Sequence, residues 1–206
     1  MLNVLIPQLS TAGGPVLIAL FAVSLAATAT TIFKIIEFFR LGVGRHKPSH
    51  QAMAYWRSGD RAAAYHVVSH DNAQLSLVLT AAMAALGNNP TDPASARQIA
   101  TQAAVQSLAV LMRNLRIIES VVQAAPMLGL LGTVIGMIEA FGKVSEGGGA
   151  ADPAALAGGI WIALTTTAIG LTIAIPFYFI SVWLEGRVER ERGAMDAAIA
   201  DVTAAR

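Results

Sequence analysis

Three threonines lie inside long apolar runs of this chain, and their hydroxyls are groups that could bind or pass on a cation. Thr133 belongs to the run AAPMLGLLGTVIGM, and Thr166 and Thr167 belong to the run TTTAIGLTIAIP. At 1.5 Å per residue, Thr133 and Thr167 lie about 13 and 20 Å from the outer ends of their predicted helices. An antiparallel pair would therefore bring the hydroxyls to within about one turn, forming a polar ring. Alternatively, each hydroxyl bonds only the carbonyl four residues back.

Glycines accompany these threonines at helical spacing. Gly129, Gly132 and Gly136 fall on one side of a helix, and Gly170 lies within the second run. The pair Gly132 and Gly136 is a small-xxx-small pattern, which lets another helix backbone approach closely in a membrane. The pattern predicts that both helices pack tightly against neighbours.

Two prolines and a lack of central charges add to this prediction. Pro126 and Pro176 each remove a helix hydrogen bond. Lipid tolerates such a gap only where protein or water satisfies the freed carbonyl, so both helices should be buried or line a wet cavity. Neither helix has a charged residue near its middle, so a proton relay would need a carboxylate from another polypeptide. At the end of the first span, Lys34 and Glu37 are explained by snorkelling or by an i,i+3 pair.

The composition predicts an all-α membrane protein. Hydrophobic residues make up 55% and charged residues 13%, and mean hydropathy is positive. Net charge is only +1, so nothing indicates nucleic-acid binding, and the lack of cysteine excludes disulfides and thiolate metal sites. Three stretches reach the roughly 20 residues that span a bilayer, at 15–39, 117–142 and 154–184. The first is interpreted as an uncleaved anchor, because it lacks a basic region before it.

Basic residues predict the orientation. They cluster after span one, before span two and after span three, as Arg40, Arg45, Lys47, Arg113, Arg116, Arg187, Arg190 and Arg192. The positive-inside rule then places the N-terminus outside and the C-terminus inside. The predicted parts between the spans are a short outer segment (1–14), a cytoplasmic helical domain (40–116), an outer loop (143–153) and a cytoplasmic helix (185–206).

Capping residues predict where several helices begin. Asp60 is predicted to cap a helix reaching Ser69, and Asn72 to cap another. Asp92 with Pro93 is an N-cap followed by a proline at the first helical position. No breaker follows until Pro126, which predicts one long helix into the second span.

The third span has start and turn signals of its own. Asp152 with Pro153 is predicted to begin the third span after a glycine turn at 147–149, and helical pattern resumes past Pro176.

Other constellations are weak. His46 and His50, like His66 and His70, are spaced i,i+4 and could chelate zinc, but no acidic or thiol ligand accompanies them at a recognisable spacing. Hydrolase, zincin and P-loop motifs are missing from the sequence. We therefore predict no metal, no cofactor and no enzymatic activity.

The stretch APMLGLLGTVIGMIEAF followed by LAGGIWIALTTTAIGLTIAIP resembles the MotA/TolQ/ExbB proton-channel family over about residues 115 to 190. Three spans match ExbB and TolQ, whereas MotA-type stators have four. The resemblance implies a homopentamer in the bacterial inner membrane around a dimer of a single-span partner, ExbD or TolR. That partner's membrane aspartate carries protons to drive a TonB- or TolA-like protein. It also implies that Thr133 and Thr167 line the lumen.

One position departs from the family pattern. Relatives commonly carry a glutamate five residues before the second lumen threonine, where this chain has Ile162. An ExbB-like motor subunit is the first hypothesis. A TolQ-like subunit and a membrane scaffold that has lost conduction remain the alternatives.

Overall fold

A computed structural model describes residues 14–146 and 153–204. The predicted outer N-terminal segment and the glycine turn with its Asp152 cap lie largely or wholly outside these residues. The described residues form helices only, which confirms the all-α class. There are seven of them: α1 (Gly14–Arg40), α2 (Lys47–Arg57), α3 (Arg61–Ser69), α4 (Gln74–Asn88), α5 (Pro93–Met112), α6 (Leu115–Glu146) and α7 (Pro153–Ala204).

Three of the helices are long and apolar enough to cross a membrane, as predicted. They are Gly14–Arg40, Leu115–Ser145 and Leu156–Ala204. α6 and α7 are continuous through Pro126 and Pro176, respectively. Both prolines therefore lie inside helices, where the ring leaves one carbonyl without its usual backbone donor.

The chain divides into two compact units. The first comprises residues 1–32 and 116–181, and the second comprises residues 33–115 and 182–206. The second unit has its own hydrophobic core, built by α2 to α5 and the C-terminal part of α7. Large side chains in that core include Met53, Trp56, Val68, Leu75, Val78, Leu79, Met83, Leu86, Met195, Ile199 and Val202.

Two of the predicted helix caps are confirmed. Asp60 accepts a hydrogen bond from the Ala63 backbone N–H at 3.0 Å and begins α3. Asp92 does the same with Ser95 at 3.0 Å and begins α5. The Asn72 cap was wrong, because the residue at that position of α4 is Ala73, which has no side-chain cap.

The single helix predicted from Ala94 to Pro126 was also wrong. α5 ends at Met112, and Asn114 has a backbone φ of 66° before α6 begins at Leu115. Asparagine adopts this left-handed conformation more readily than most residues, so it can break a helix without glycine or proline.

Candidate functional site

Small residues form the contact between α6 and α7, which we call the small-residue seam. On α6 they are Ala125, Gly129, Gly132, Gly136 and Ala140, and on α7 they are Gly159, Ala163, Thr166 and Gly170. Residue numbers fall along α7 as they rise along α6, so the two helices run antiparallel. The glycines that the sequence singled out in the two runs all belong to the seam.

The seam leaves no room for additional atoms. A methyl group in place of the Gly132 hydrogen would lie 2.5 Å from Thr166 Oγ1. One at Gly170 would lie 2.5 Å from the Ala125 carbonyl oxygen, and one at Gly129 would lie 2.9 Å from the Cα of Thr167. The two backbones thus approach as closely as small-xxx-small packing allows.

Thr166 is a part of this helix contact. It is fully buried. Its hydroxyl donates to the Ala163 carbonyl at 2.7 Å in its own helix and lies 3.2 Å from the Gly129 carbonyl across the seam. The hydroxyl is therefore occupied by protein acceptors.

Thr133 and Thr167 are in a different situation. Both residues are half-buried beside the seam. The Thr133 hydroxyl donates to the Leu130 carbonyl at 2.6 Å, three residues back. The Thr167 Oγ1 is enclosed and has no hydrogen-bond partner within the described residues. The local-bonding alternative thus applies to Thr133, with a spacing of three residues instead of four, and does not apply to Thr167. Neighbouring Thr165 bonds the Trp161 carbonyl four residues back at 2.8 Å.

The two half-buried threonines lie on the same flank of the helix pair. Thr133 follows the seam residue Gly132, and Thr167 follows the seam residue Thr166. At 100° per residue, the direction of each threonine lies about 60–70° around its helix axis from the mean direction of the seam residues on that helix. Because the helices are antiparallel, the same rotation on each helix leads to the same flank. Since Gly132 lies opposite Thr166, the two threonines are within about one turn of each other along the axes.

The opposite flank is where α1 packs. Val16 and Leu20 of α1 belong to a buried cluster with Ala125 and Ala174. The partly buried side chains packed on that cluster are Leu128, Ile135, Ile169 and Ile173. By helix geometry they lie about 50–100° from the seam in the direction away from the threonines. α1 therefore packs on the isoleucine flank, although Ala174 of the same cluster lies about 50° from the seam on the side of the threonines.

The sequence did not predict that the charged side chains of Lys34 and Glu191 would be buried. Lys34 is fully buried, and its ammonium pairs with Glu37 at 2.6 Å and donates to the Val110 carbonyl at 3.3 Å. The i,i+3 interpretation is thus confirmed, and snorkelling is not. Glu191 is 1% exposed and accepts from the Gly44 backbone N–H at 3.1 Å.

The histidine pairs differ in their surroundings. The His46 Nε2 lies 2.8 Å from Glu191 Oε2, with the His50 ring 6.3 Å away. The rings of His66 and His70 are 4.3 Å apart on α3 and just after it. No third ligand completes a metal site in the described residues. No sequence signal links His46 to Glu191, because 145 residues separate them.

Comparison with known proteins agrees with this architecture. The model of the MotA/TolQ/ExbB proton channel family matches residues 70–197. The chain belongs to this family. Its three long apolar helices and this membership make it a multi-pass membrane protein.

Individual relatives carry ExbB names. The chain is 29% identical over 165 residues to a putative biopolymer transport protein ExbB-like 3 of Synechocystis, covering 80% of this chain and 77% of that protein. It is 42% identical over 79 residues to a putative biopolymer transport protein ExbB homolog of Methanothermobacter thermautotrophicus, and 46% identical over 63 residues to biopolymer transport protein exbB1 of Vibrio cholerae. These last two alignments span 38% and 31% of this chain and only 27% and 28% of those proteins.

Proposed function

We propose that this chain is the pore-forming subunit of a proton-driven motor of the ExbB type. Five copies surround a single-span ExbD- or TolR-like partner and energise a TonB-type outer-membrane transport system. The N-terminus faces the periplasm, and residues 40–116 and 185–206 face the cytoplasm of a bacterium. The ExbB names of the relatives favour this assignment over a TolQ-like role.

One observation carries the proposal. Thr167 has a hydroxyl without a partner in the described residues, on a half-buried side chain of the flank that also holds Thr133. The oxygen is enclosed within this chain, so the side chain must change rotamer to present the hydroxyl to a second molecule. An unpaired buried hydroxyl costs about 1–3 kcal/mol, so it is retained where a second molecule supplies the partner. A carboxyl group on the single-span partner supplies one in either protonation state, since the hydroxyl donates to the carboxylate and accepts from the acid.

This arrangement assigns different tasks to the three threonines. Thr167 is the principal contact for the partner's carboxyl group. Thr133 is a secondary contact, because its proton is already donated to Leu130 and its lone pairs remain as acceptors. Thr166 holds α6 and α7 at the distance that places the other two hydroxyls on one flank, so we narrow its predicted pore-lining role to this positioning.

The test is proton flux in liposomes that contain the chain and its single-span partner. Thr167→Val removes the hydroxyl at nearly constant volume. A lost hydrogen bond to a charged group is worth about 1.5–3 kcal/mol, which corresponds to a roughly tenfold to hundredfold lower flux. Thr165→Val is the matched control, because its hydroxyl is satisfied by Trp161 on another side of the same helix.

The outcomes separate the hypotheses. Equal flux in the Thr167→Val and Thr165→Val complexes would exclude the hydroxyl mechanism. A native mass spectrum of the complex showing five copies of this chain with two copies of an acidic single-span protein supports the motor. Five copies that bind the partner without any flux would favour the scaffold. Flux that requires sodium would show that sodium, and not the proton, is the transported ion.

A further inference from the structure

An aromatic groove lies between the end of α1 and the middle of α7 in the second unit. It is lined by Ile35, Phe38, Phe39, Val43, Trp183 and Arg187. Phe39 is 81% exposed and Trp183 is 46% exposed. The first exposed charged residues after the apolar sequences of these two helices are Arg40 and Glu185, since Lys34 and Glu37 before Arg40 form a largely buried ion pair. The groove thus occupies the boundary between the hydrocarbon and the aqueous phase, the level at which tryptophan is enriched.

Arg187 is the cation at this groove. Its guanidinium lies 5.2 Å from the centre of the Trp183 ring, a cation–π contact. A methyl group on Gly44 would lie 3.0 Å from an Arg187 nitrogen, so the guanidinium lies against the turn after α1. Arginine is well suited to phosphate because its planar donors can bind two oxygens at once.

No carboxylate lies within 4.0 Å of the Arg187 guanidinium nitrogens in the part of the chain that the structure describes. By contrast, Arg45 and Arg57 are paired with aspartates. Glu191 follows Arg187 by one turn, but its Oε2 is taken by Gly44 and by His46, and it makes no ion pair with Arg187. A guanidinium without a direct ion pair beside exposed aromatic rings indicates an anionic ligand with an apolar portion.

We propose that the groove binds one acidic phospholipid of the adjacent leaflet. The guanidinium of Arg187 holds the phosphate, and an acyl chain lies along Phe39 and Trp183. Exposed Arg40 at the end of α1 adds positive charge to the same boundary and favours an acidic over a zwitterionic headgroup. The proposal uses the membrane placement of the chain and not proton conduction, so it can succeed or fail separately from the proposed function.

Quenching of Trp183 by brominated lipid tests this site directly. The full-length complex, with Trp161→Phe to remove the other exposed tryptophan, is reconstituted into zwitterionic nanodiscs. A minor fraction of brominated phosphatidylglycerol or of brominated phosphatidylcholine is included. A Trp183→Phe complex gives the background from buried Trp56. We expect the acidic lipid to be enriched at Trp183 by about fivefold, the factor that one basic side chain contributes near an anionic surface.

Variants of two arginines test whether Arg187 causes the enrichment of the acidic lipid at Trp183. Arg187→Gln should abolish the excess quenching, and Arg187→Lys should keep part of it. Arg190→Gln should leave the excess unchanged, because Arg190 is exposed and its Nε donates to the Gly186 carbonyl. Equal quenching by the two lipids, or an equal loss in the Arg190 variant, would overturn the proposal. Protection of Trp183 from both lipids would show instead that a second copy of the chain covers the groove.

Discussion

The stability of two adjacent threonine variants gives a sharp test of the assigned roles. The Thr166 hydroxyl is fully buried and faces the Gly129 carbonyl across the seam. Thr166→Val removes this interhelical bond at nearly constant volume. Such bonds contribute about 0.6 kcal/mol on average and up to about 1.7 kcal/mol in a membrane protein. Both carbonyls that the hydroxyl contacts belong to helix interiors, so no new unsatisfied acceptor is expected.

The neighbouring substitution should have the opposite sign. Thr167 has an enclosed hydroxyl without a partner in the described residues. Replacing it by valine removes an unsatisfied donor, so the free energy of unfolding should stay constant or increase by up to about 1–3 kcal/mol, the cost of an unpaired buried hydroxyl. Truncating a side chain that stabilises the helix contact lowers the free energy of unfolding of the chain. Truncating a side chain whose hydroxyl serves only to bind a partner does not.

The measurement is reversible unfolding of the purified chain in mixed detergent micelles, followed by circular dichroism without the single-span partner. We expect Thr166→Val to shift the unfolding equilibrium by about threefold to twentyfold, from the energies above. Thr165→Val serves as the control for the loss of a local hydroxyl bond. If Thr167→Val destabilises the chain as much as Thr166→Val does, then Thr167 is a packing residue and the partner argument fails.

Three further substitutions test the fold around the site by the same unfolding measurement. Gly132→Ala should cost about 1–3 kcal/mol because the seam has no space for a methyl group, whereas Gly186→Ala, with nothing within 4 Å, should be neutral or stabilising; equal effects would refute the close approach. Asp60→Ala should cost about 1 kcal/mol through the lost cap of α3, and an Asp60→Asn variant that retains wild-type stability would confirm the cause. Asn114→Val should cost about 1–2 kcal/mol while Asn114→Gly is tolerated, because φ is positive there; a reversed order would contradict that backbone conformation.

Local signals in the sequence predicted much of this fold. The spans follow from long apolar runs, and the caps at Asp60 and Asp92 follow from a side chain that reaches a backbone N–H three residues ahead. The break at Asn114 was missed because the left-handed conformation of asparagine is an option and not a requirement. The buried contact of Glu191 with His46 could not be predicted, since it depends on how α7 packs on a turn far away in the sequence.

The candidate site, like the fold, was predicted where local sequence patterns decide and missed where contacts between distant segments decide. The spacing of glycines and threonines identified which residues belong to the two packed helices. It did not separate Thr166, which is in the seam, from Thr167, which is beside it. A single residue step turns a helix by 100°, so the distinction depends on where the seam is centred. That centre is set by contacts between two segments, and only the structure supplies it.

Ile162 can now be placed relative to these threonines. It lies five residues before Thr167, which is 500° of rotation, or about 140° around the helix. This puts Ile162 on the flank of Ile169 and Ile173, which pack on the cluster that includes α1. An isoleucine is suited to that apolar flank. Because the substitution lies away from Thr133 and Thr167, it leaves the threonine flank chemically intact, and the lack of a glutamate here does not by itself argue against conduction along that flank.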